Sequence, residues 1–195
     1  MFELDYNPDT LAFPLEQVLE SISPNTRLIM IANPNNPTGG AISVKSIEQI
    51  LERADEAAVL VDEAYFEYAT ADDYPDSLAL RELHPRLVVL RTFSKAYGLA
   101  GLRLGYAVCA AELAEYMNRV RAPFNANSVA QAAAIAALAD TEHLARVVRA
   151  NSEARTRMAS ALSELGLMVV PSQANFLLVD LDRDAAKVYT QLLAR

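Results

Sequence analysis

The fold of this chain is decided by the stretch Arg91-Thr92-Phe93-Ser94-Lys95-Ala96-Tyr97-Gly98 and by the arginine in Gly101-Leu102-Arg103-Leu104-Gly105-Tyr106. Lys95 stands among small and hydroxylated residues directly after an apolar run, a setting that can desolvate its amine enough to attack a carbonyl. Arg103 offers the paired N–H groups that bind a phosphate. Together they indicate a Schiff base between Lys95 and a phosphorylated aldehyde, of which pyridoxal 5'-phosphate is the usual one. A surface lysine near a structural arginine is the alternative.

A second informative stretch, Asn33-Pro34-Asn35-Asn36-Pro37-Thr38-Gly39-Gly40, follows the apolar run Leu28–Ala32. Its prolines and glycines end the predicted strand in a shaped loop. In open α/β sheets, ligands bind at the carboxyl ends of the strands, so an Asn amide in this loop can donate to a cofactor oxygen. The composition alone also fits an ordinary turn.

A third stretch, Val59-Leu60-Val61-Asp62-Glu63-Ala64-Tyr65, is a short apolar strand that ends in a carboxylate. An aspartate beside a pyridine nitrogen keeps that nitrogen protonated, so that the ring accepts electrons from a substrate carbanion. Tyr65 could form a hydrogen bond with the phenolic oxygen of the ring. Taken singly, Asp62 also fits a helix cap or a turn former.

The chain resembles the pyridoxal-phosphate aminotransferases of fold type I, and among them the histidinol-phosphate aminotransferases. The resemblance rests on five phrases that span most of the chain: NPNNPTG at 33–39, VDEAYFEYA at 61–69, RTFSKAYGLAGLRLGY at 91–106, RAPFNANSVAQAAA at 121–134 and PSQANFLLVD at 171–180. It implies an α/β fold with a three-layer large domain, in which a mostly parallel sheet lies between helices, and with the start of a smaller α+β C-terminal domain.

The resemblance also implies a role for each candidate site residue. Lys95 would hold the cofactor covalently and, once released by substrate, move the proton between the substrate Cα and the cofactor. Asp62 would pair with the pyridine nitrogen. The phosphate would be gripped by Arg103, with a hydroxyl from either Ser94 or Thr92. The phenolic oxygen would be shared by Asn36 and Tyr65.

Three segments are expected: residues 1–125 as most of the cofactor domain, 126–166 as linking helices and 167–195 as the start of the small domain. Family members carry a phosphate-cradling helix start and a ring-stacking aromatic upstream, and a carboxylate-binding arginine downstream. We expect these features to lie outside this chain, because the closing Arg195 lacks the matching context. The 195 residues alone are therefore expected to turn over little or no substrate.

The implied reaction moves an amino group between histidinol phosphate and 2-oxoglutarate, in a cytoplasmic homodimer that acts on small amino-acid and 2-oxo-acid substrates. An aminotransferase for aromatic amino acids and a threonine-phosphate decarboxylase are the enzymatic alternatives. A catalytically incompetent fragment is the alternative from a different class.

Composition narrows the class of protein. Of the 195 residues 52% are hydrophobic and 22% charged, which is typical of a globular protein with a sizeable core. The net charge of −8 and the absence of a basic cluster argue against nucleic-acid binding. The chain lacks an apolar run of membrane-spanning length, and Met1–Asp5 is acidic where a signal peptide would be basic. His84, His143 and Cys109 have no companions at ligand spacing, so no metal site is expected.

Apolar runs predict four strands of a sheet that is covered on both faces, at Leu28–Ala32, Ala58–Asp62, Leu87–Arg91 and Leu104–Cys109. Two further strands are expected at Met168–Val170 and Phe176–Leu181.

Helices are predicted between and after these strands. Ser43 is expected to cap a helix that reaches Ala54, and Asp184 a last helix. The alanine-rich helix over 127–139 is apolar almost all round and is predicted to be buried. Thr141 is expected to cap a long helix to about Leu165, with a solvated face of arginines at 146, 149, 155 and 157.

Overall fold

A computed structural model of the chain describes residues 3–7 and 9–194. Met1, Phe2, Pro8 and Arg195 lie outside the described residues, and with them the expectations on the start of the chain and on Arg195. The main sheet has four strands in sequence order, three of them parallel and the last antiparallel. They are β1 (Leu28–Ala32), β2 (Ala58–Asp62), β3 (Leu87–Thr92) and β4 (Gly105–Val108). The predicted α/β class and mostly parallel sheet are confirmed.

Seven α-helices lie in the described part of the chain: α1 (Leu15–Ser21), α2 (Val44–Ala54), α3 (Ser77–Leu83), α4 (Ala111–Val120), α5 (Ser128–Ala139), α6 (Thr141–Glu164) and α7 (Ala185–Leu193). Two 3₁₀ helices, Phe66–Tyr68 and Ala100–Leu102, follow β2 and precede β4. A second, two-stranded antiparallel sheet pairs β5 (Met168–Val169) with β6 (Val179–Asp180), both shorter than predicted.

The helix ends follow the local sequence closely. The Ser43 hydroxyl accepts from the Ser46 N–H at the start of α2, and the Asp184 carboxylate accepts from two N–H groups at the start of α7, so both predicted caps are confirmed. The predicted cap at Thr141 is wrong by one residue. The Asp140 carboxylate, rather than Thr141, accepts from the His143 N–H at 3.0 Å.

One face of the main sheet carries the core. Val59, Val61, Leu87 and Val89 are buried on this face, and α1, α2 and α3 pack against it. The amphipathic stripe of α2 supplies fully buried side chains to the same core, including Ile50.

The opposite face of the sheet is only partly covered. Leu28 and Met30 on β1 are 52% and 69% exposed, whereas their neighbour Ile31 is buried. The prediction of a sheet covered on both faces is therefore wrong at β1. A continuous apolar run indicates a strand that is buried on both faces, but this burial requires another element packed on each face. The described residues place no such element over this part of β1.

The alanine-rich helix α5 is also less buried than predicted. Only Ala130 and Ala134 are buried, while Val129, Ile135 and Leu138 are 67%, 72% and 52% exposed. Alanine favours a helix wherever it stands, but burial requires a neighbouring surface. The described chain offers such a surface to one side of α5 alone.

The arginines of α6 divide into two groups. Arg146, Arg149 and Arg157 are exposed, as predicted. Arg155 is not part of this solvated face: its Nη1 donates to the Ala174 carbonyl at 2.6 Å, and burial lowers the pKa of its guanidinium. Among the described residues, no helix is both long and apolar enough to cross a membrane. The three expected segments, 1–125, 126–166 and 167–195, stay a prediction.

Candidate active site

The carboxyl ends of β1, β2 and β3 meet at one edge of the main sheet. Ala32 pairs with Asp62, so β1 and β2 end in the same row, while β3 continues for two residues past Leu90, the partner of Asp62, and ends at Thr92. The pairing continues past the strand ends, because the Asn33 N–H donates to the Asp62 carbonyl at 2.9 Å. The three predicted motifs therefore leave the sheet side by side.

Asn36, Tyr65 and Lys95 come together at this edge. The Asn36 side-chain amide donates to the Tyr65 hydroxyl at 3.0 Å. The Lys95 Nζ lies 5.0 Å from the centre of the Tyr65 ring. Tyr65 is only 7% exposed, so packing restricts the movement of its ring beside the lysine amine. Three residues from three separate loops thus share one small volume.

The loop that carries Asn36 is held by its own side chains. The Asn33 side chain donates to the Ile42 carbonyl at 3.2 Å and accepts from the Ile42 N–H at 2.8 Å. Tyr74 closes the loop from outside, donating its hydroxyl proton to the Asn33 carbonyl at 2.6 Å. Hydrogen bonds therefore fix the two ends of the loop that carries Asn36.

Asp62 lies at the end of β2 and is exposed. One of its carboxylate oxygens, Oδ1, accepts from the Ala64 N–H at 3.0 Å and so forms a local turn. Asp62 therefore acts as a turn former through Oδ1, which was one of the alternatives in the sequence analysis. Its carboxylate nevertheless lies at the same edge as Tyr65 and Lys95.

The structure distinguishes the hydroxyls of Thr92 and Ser94. Thr92 Oγ1 accepts from the Ser94 N–H at 3.1 Å and donates to the Leu104 carbonyl at 3.4 Å. Ser94 Oγ, in contrast, has no hydrogen bond to any described residue. Thr92 therefore shapes the turn before Lys95, and Ser94 keeps its hydroxyl available for a ligand.

Arg103 stands beside this turn because β4 runs antiparallel to β3. The Phe93 N–H donates to the Leu104 carbonyl at 3.1 Å, which brings the residue before Leu104 close to Ser94. Arg103 has the left-handed backbone conformation, with φ 53° and ψ 51°. This conformation is uncommon for a residue with a β-carbon and concentrates at functional sites. The guanidinium is exposed and donates locally to the Ala100 carbonyl at 2.9 Å.

A buried ion pair that the sequence analysis missed lies beneath the edge. Arg91 Nε and Nη2 both lie 2.9 Å from Glu63 Oε2, and the Glu63 side chain is fully buried. The Arg91 guanidinium also stacks on the Phe66 ring at 3.6 Å. Burial raises the pKa of Glu63, while the Ser77 hydroxyl and the facing Arg91 guanidinium act in the opposite direction. The available signal in the sequence was a carboxylate directly after β2 and an arginine at the end of the apolar run that forms the neighbouring parallel strand β3.

Glu67 is a second carboxyl in the same cluster. Both of its oxygens are buried and find no hydrogen-bond partner in the described part of the chain. Burial raises the pKa of Glu67 to about 7. Because Arg91 is already paired with Glu63, a second negative charge here has no partner of its own.

A cavity of about 540 Å³ lies away from these residues. It is bounded by Thr70 and by one side of α6, and its lining contains none of the seven predicted site residues. We therefore place the candidate site at the strand edge, where the chemistry is, rather than in this cleft. Within the described ranges, no group of three or more His, Cys, Asp or Glu side chains converges to hold a metal ion.

Comparison with known proteins agrees with this arrangement. The family profile of aminotransferase class I and II matches residues 4–195. The chain is 48% identical over 180 residues to histidinol-phosphate aminotransferase 2 of Pseudomonas aeruginosa, covering 92% of this chain and 49% of that protein. It is 45% identical over 183 residues to histidinol-phosphate aminotransferase of Moorella thermoacetica, covering 93% of this chain and 47% of that protein.

Solved structures show the same fold. Histidinol-phosphate aminotransferase from Sinorhizobium meliloti, in complex with pyridoxal 5'-phosphate, matches with a TM-score of 0.77 and 35% identity over 85% of this chain and 45% of that one. The enzyme from Clostridium acetobutylicum matches with a TM-score of 0.88 and 26% identity over 95% of this chain and 57% of that one. The chain spans about half the length of the curated relatives that it matches. It belongs to the aminotransferase class I and II family.

Proposed function

We propose that the strand edge holds pyridoxal 5'-phosphate and serves the transfer of an amino group between histidinol phosphate and 2-oxoglutarate. The observation that carries the proposal is the meeting of Asn36, Tyr65 and Lys95, since it puts an amine beside a buried phenol that a side-chain amide already holds. The names of the matched relatives support the substrate.

The residues present fit this cofactor. The Lys95 amine lies against the Tyr65 ring, and Asp62, Ser94 and Arg103 lie at the ends of the neighbouring strands or in the turns next to them. These are the groups that an aldehyde, a pyridine nitrogen and a phosphate each require. When bound, pyridoxal phosphate supplies an electron-accepting ring that stabilises negative charge at the substrate Cα.

Lys95 has the central role in the proposal. Its amine would hold the cofactor at the aldehyde carbon, and as a free amine it would move the proton at the substrate Cα. The Tyr65 ring limits where the amine can go, because the two lie in contact distance across a buried surface. Proton transfer at one carbon requires such a restricted amine.

The other residues hold the cofactor in place. Asp62 would keep the pyridine nitrogen protonated by its negative charge. Asn36 and Tyr65, which are already hydrogen-bonded to each other, would bind the phenolic oxygen. Arg103 binds the phosphate, and we assign the assisting hydroxyl to Ser94, because the hydroxyl of Thr92 is already used within the turn.

The proposal extends to a homodimeric enzyme in the cytoplasm. Soluble small-molecule substrates suit that compartment, and the exposed apolar side chains of α5 suit contact with another subunit. The chain covers about half of the relatives' length, so the assignment concerns the site residues that this chain itself carries.

Lysine labelling tests the site directly, because the chain has only three lysines, at 45, 95 and 187. The chain is incubated with pyridoxal phosphate, reduced with borohydride and mapped by mass spectrometry. We expect the pyridoxyl group on Lys95, its loss in Lys95→Ala and its retention in Lys45→Ala, a matched change at an exposed lysine. Label on Lys45 or Lys187 that persists in Lys95→Ala would refute the assignment.

A substrate panel tests the reaction. Because these 195 residues alone are expected to turn over little or no substrate, the panel uses a protein of the relatives' full length that contains them. Histidinol phosphate, an aromatic amino acid and threonine phosphate are each offered to it with 2-oxoglutarate. Faster glutamate formation from histidinol phosphate supports the proposal. Release of carbon dioxide from threonine phosphate, or a preference for the aromatic amino acid, would favour the enzymatic alternatives instead.

A further inference from the structure

The segment Pro171-Ser172-Gln173-Ala174-Asn175-Phe176, here named the arm, lies between β5 and β6. It is more than a hundred residues after the loop that carries Asn36, yet it packs against that loop and against the segment after β2. The proposed function gives the arm no role.

Gln173 joins the arm to two loops at once. Its side-chain Oε1 accepts from the Thr70 N–H at 2.7 Å and from the Ala71 N–H at 3.2 Å. Its own backbone N–H donates to the Gly39 carbonyl at 2.7 Å. One residue therefore satisfies three backbone groups that belong to the loops after β1 and β2.

The approach of the arm to Gly39 leaves no space for a side chain. A β-carbon built at Gly39 would lie 2.3 Å from Ser172 Oγ and 2.7 Å from Ser172 Cβ. Gly39 also has a φ of +75°, which glycine adopts without strain. Both the backbone and the contact thus depend on glycine where the loop meets the arm.

The far side of the arm is anchored on α6. Ala174 is fully buried, and its carbonyl accepts from Arg155 Nη1 at 2.6 Å. Its N–H donates to Ser172 Oγ at 3.0 Å. The arm is consequently held from two directions, by the long helix behind it and by the site loops in front.

Phe176 then reaches the candidate site itself. Its ring meets the Tyr65 ring edge to face, with centres 5.2 Å apart and planes at 84°. Tyr65 is therefore fixed at two points, its hydroxyl by Asn36 and its ring by Phe176. The amine of Lys95 lies against the same ring.

We propose that Gln173 and Phe176 are positioning residues of this site: Gln173 docks the arm on the loops after β1 and β2, and Phe176 sets the orientation of Tyr65 beside Lys95. Neither side chain touches the reacting atoms in this assignment. The effect on the cofactor rests on the proposed function, whereas the docking of the arm does not.

Backbone hydrogen exchange tests the docking without any cofactor. In Gln173→Met the acceptor is lost at similar side-chain length, so exchange at the Thr70 and Ala71 amides should speed up by about 2- to 10-fold, the range expected for one hydrogen bond. Gln173→Glu keeps an acceptor oxygen and should leave both amides slow. Gln191→Met, the same change on exposed α7, should also have no effect. Unchanged exchange in Gln173→Met would overturn the docking.

Cofactor binding tests whether Phe176 sets the orientation of Tyr65. Phe176→Leu should weaken pyridoxal phosphate binding by about 2- to 10-fold, the range expected for one aromatic pair, and shift the pH midpoint of the absorbance of the Lys95-bound cofactor. Phe176→Tyr keeps the ring and should restore both values. The matched control is Phe13→Leu, which removes the edge-to-face pair of Tyr6 and Phe13, with centres 5.9 Å apart.

The outcomes separate the two proposals. Equal binding and equal pH midpoints in Phe176→Leu and Phe13→Leu would overturn the role of Phe176 while leaving the proposed function intact. A wild-type chain that takes up no cofactor on Lys95 would refute the proposed function and with it the role of Phe176. The exchange of Thr70 and Ala71 would still decide whether Gln173 docks the arm.

Discussion

The described residues form two buried clusters that differ in the side chains that fill them. The sheet core consists of aliphatic side chains from regular elements, such as Ile50 on α2 and Val61 on β2. The site cluster consists of Tyr65, Tyr68, Ala96 and Ala174, of which Tyr68 ends the 3₁₀ helix Phe66–Tyr68 and the others lie in turns or loops. The first is apolar throughout, whereas the second lies next to the fully or partly buried charged groups Glu63, Glu67 and Arg91.

This difference indicates that one cluster mainly stabilises the fold and the other mainly positions the side chains of the candidate site. Apolar burial is non-directional, so the sheet core stabilises the fold without setting any one side chain to within a fraction of an ångström. Hydrogen bonds are directional, and one of them positions Tyr65, the ring against which the Lys95 amine lies. Changes in the sheet core should therefore affect unfolding at every pH, while changes around the site cluster should depend on charge.

The largest effect is expected where the two clusters meet, at the Glu63–Arg91 pair. Arg91→Met removes the guanidinium and leaves a fully buried carboxylate without its partner, which costs about 3–5 kcal/mol of unfolding free energy. Urea unfolding at neutral pH measures the loss. The double variant Glu63→Gln with Arg91→Met should regain much of it, because no charge is then left unpaired. A loss in the double variant as large as in the single one would show that packing, not charge, explains the effect.

The sheet core should respond to lost volume. Ile50→Ala opens a cavity at a side chain with no exposed area, at an expected cost of about 2–5 kcal/mol. The same loss should appear at pH 5 and pH 8 in urea unfolding. Ile135→Ala on α5 is the matched control, since Ile135 is 72% exposed. A loss that varies with pH at Ile50 would break the distinction between the two clusters.

Glu67 should make the site cluster sensitive to pH. Its pKa is raised to about 7 from the model-compound value of 4.5, so the folded chain binds this proton more tightly than the unfolded chain. The resulting contribution to stability is present below pH 4.5 and is lost as the pH rises to about 7. Glu67→Gln cannot titrate and should gain about 1–3 kcal/mol on the wild type across that window. Parallel pH profiles of the two proteins in urea unfolding would contradict the raised pKa.

The smallest effect on stability is expected at the exposed apolar side chains of α5. Ile135→Ser should change the unfolding free energy by no more than about 0.5 kcal/mol, because the side chain is already in water. It should instead reduce self-association of the chain, which sedimentation at several concentrations measures. Association that is unchanged by this substitution would show that copies of the chain do not associate through α5.

Local sequence predicted most of the regular elements, and particular residues show why. The four main strands and the caps at Ser43 and Asp184 follow from apolar runs and from side chains that bond the nearest backbone, both of which act over a few residues. The strand-edge position of Asn36, Asp62 and Lys95 was also predictable, because parallel strands end on one edge. Burial could not be predicted in the same way. The expectations for Met30, α5 and Arg155 were wrong because burial depends on which distant segment packs against a residue.

By itself, the sequence determined the strand-end motifs, the family and the residue types that a phosphorylated aldehyde requires. Only the tertiary structure decided that the Thr92 hydroxyl is used within its own turn, that Glu63 pairs with Arg91, and that Phe176 packs on Tyr65. The physical reason is range. Propensity, capping and periodicity act between neighbours along the chain, whereas an ion pair or an edge-to-face contact between distant segments exists only once the chain has folded and the two surfaces have met.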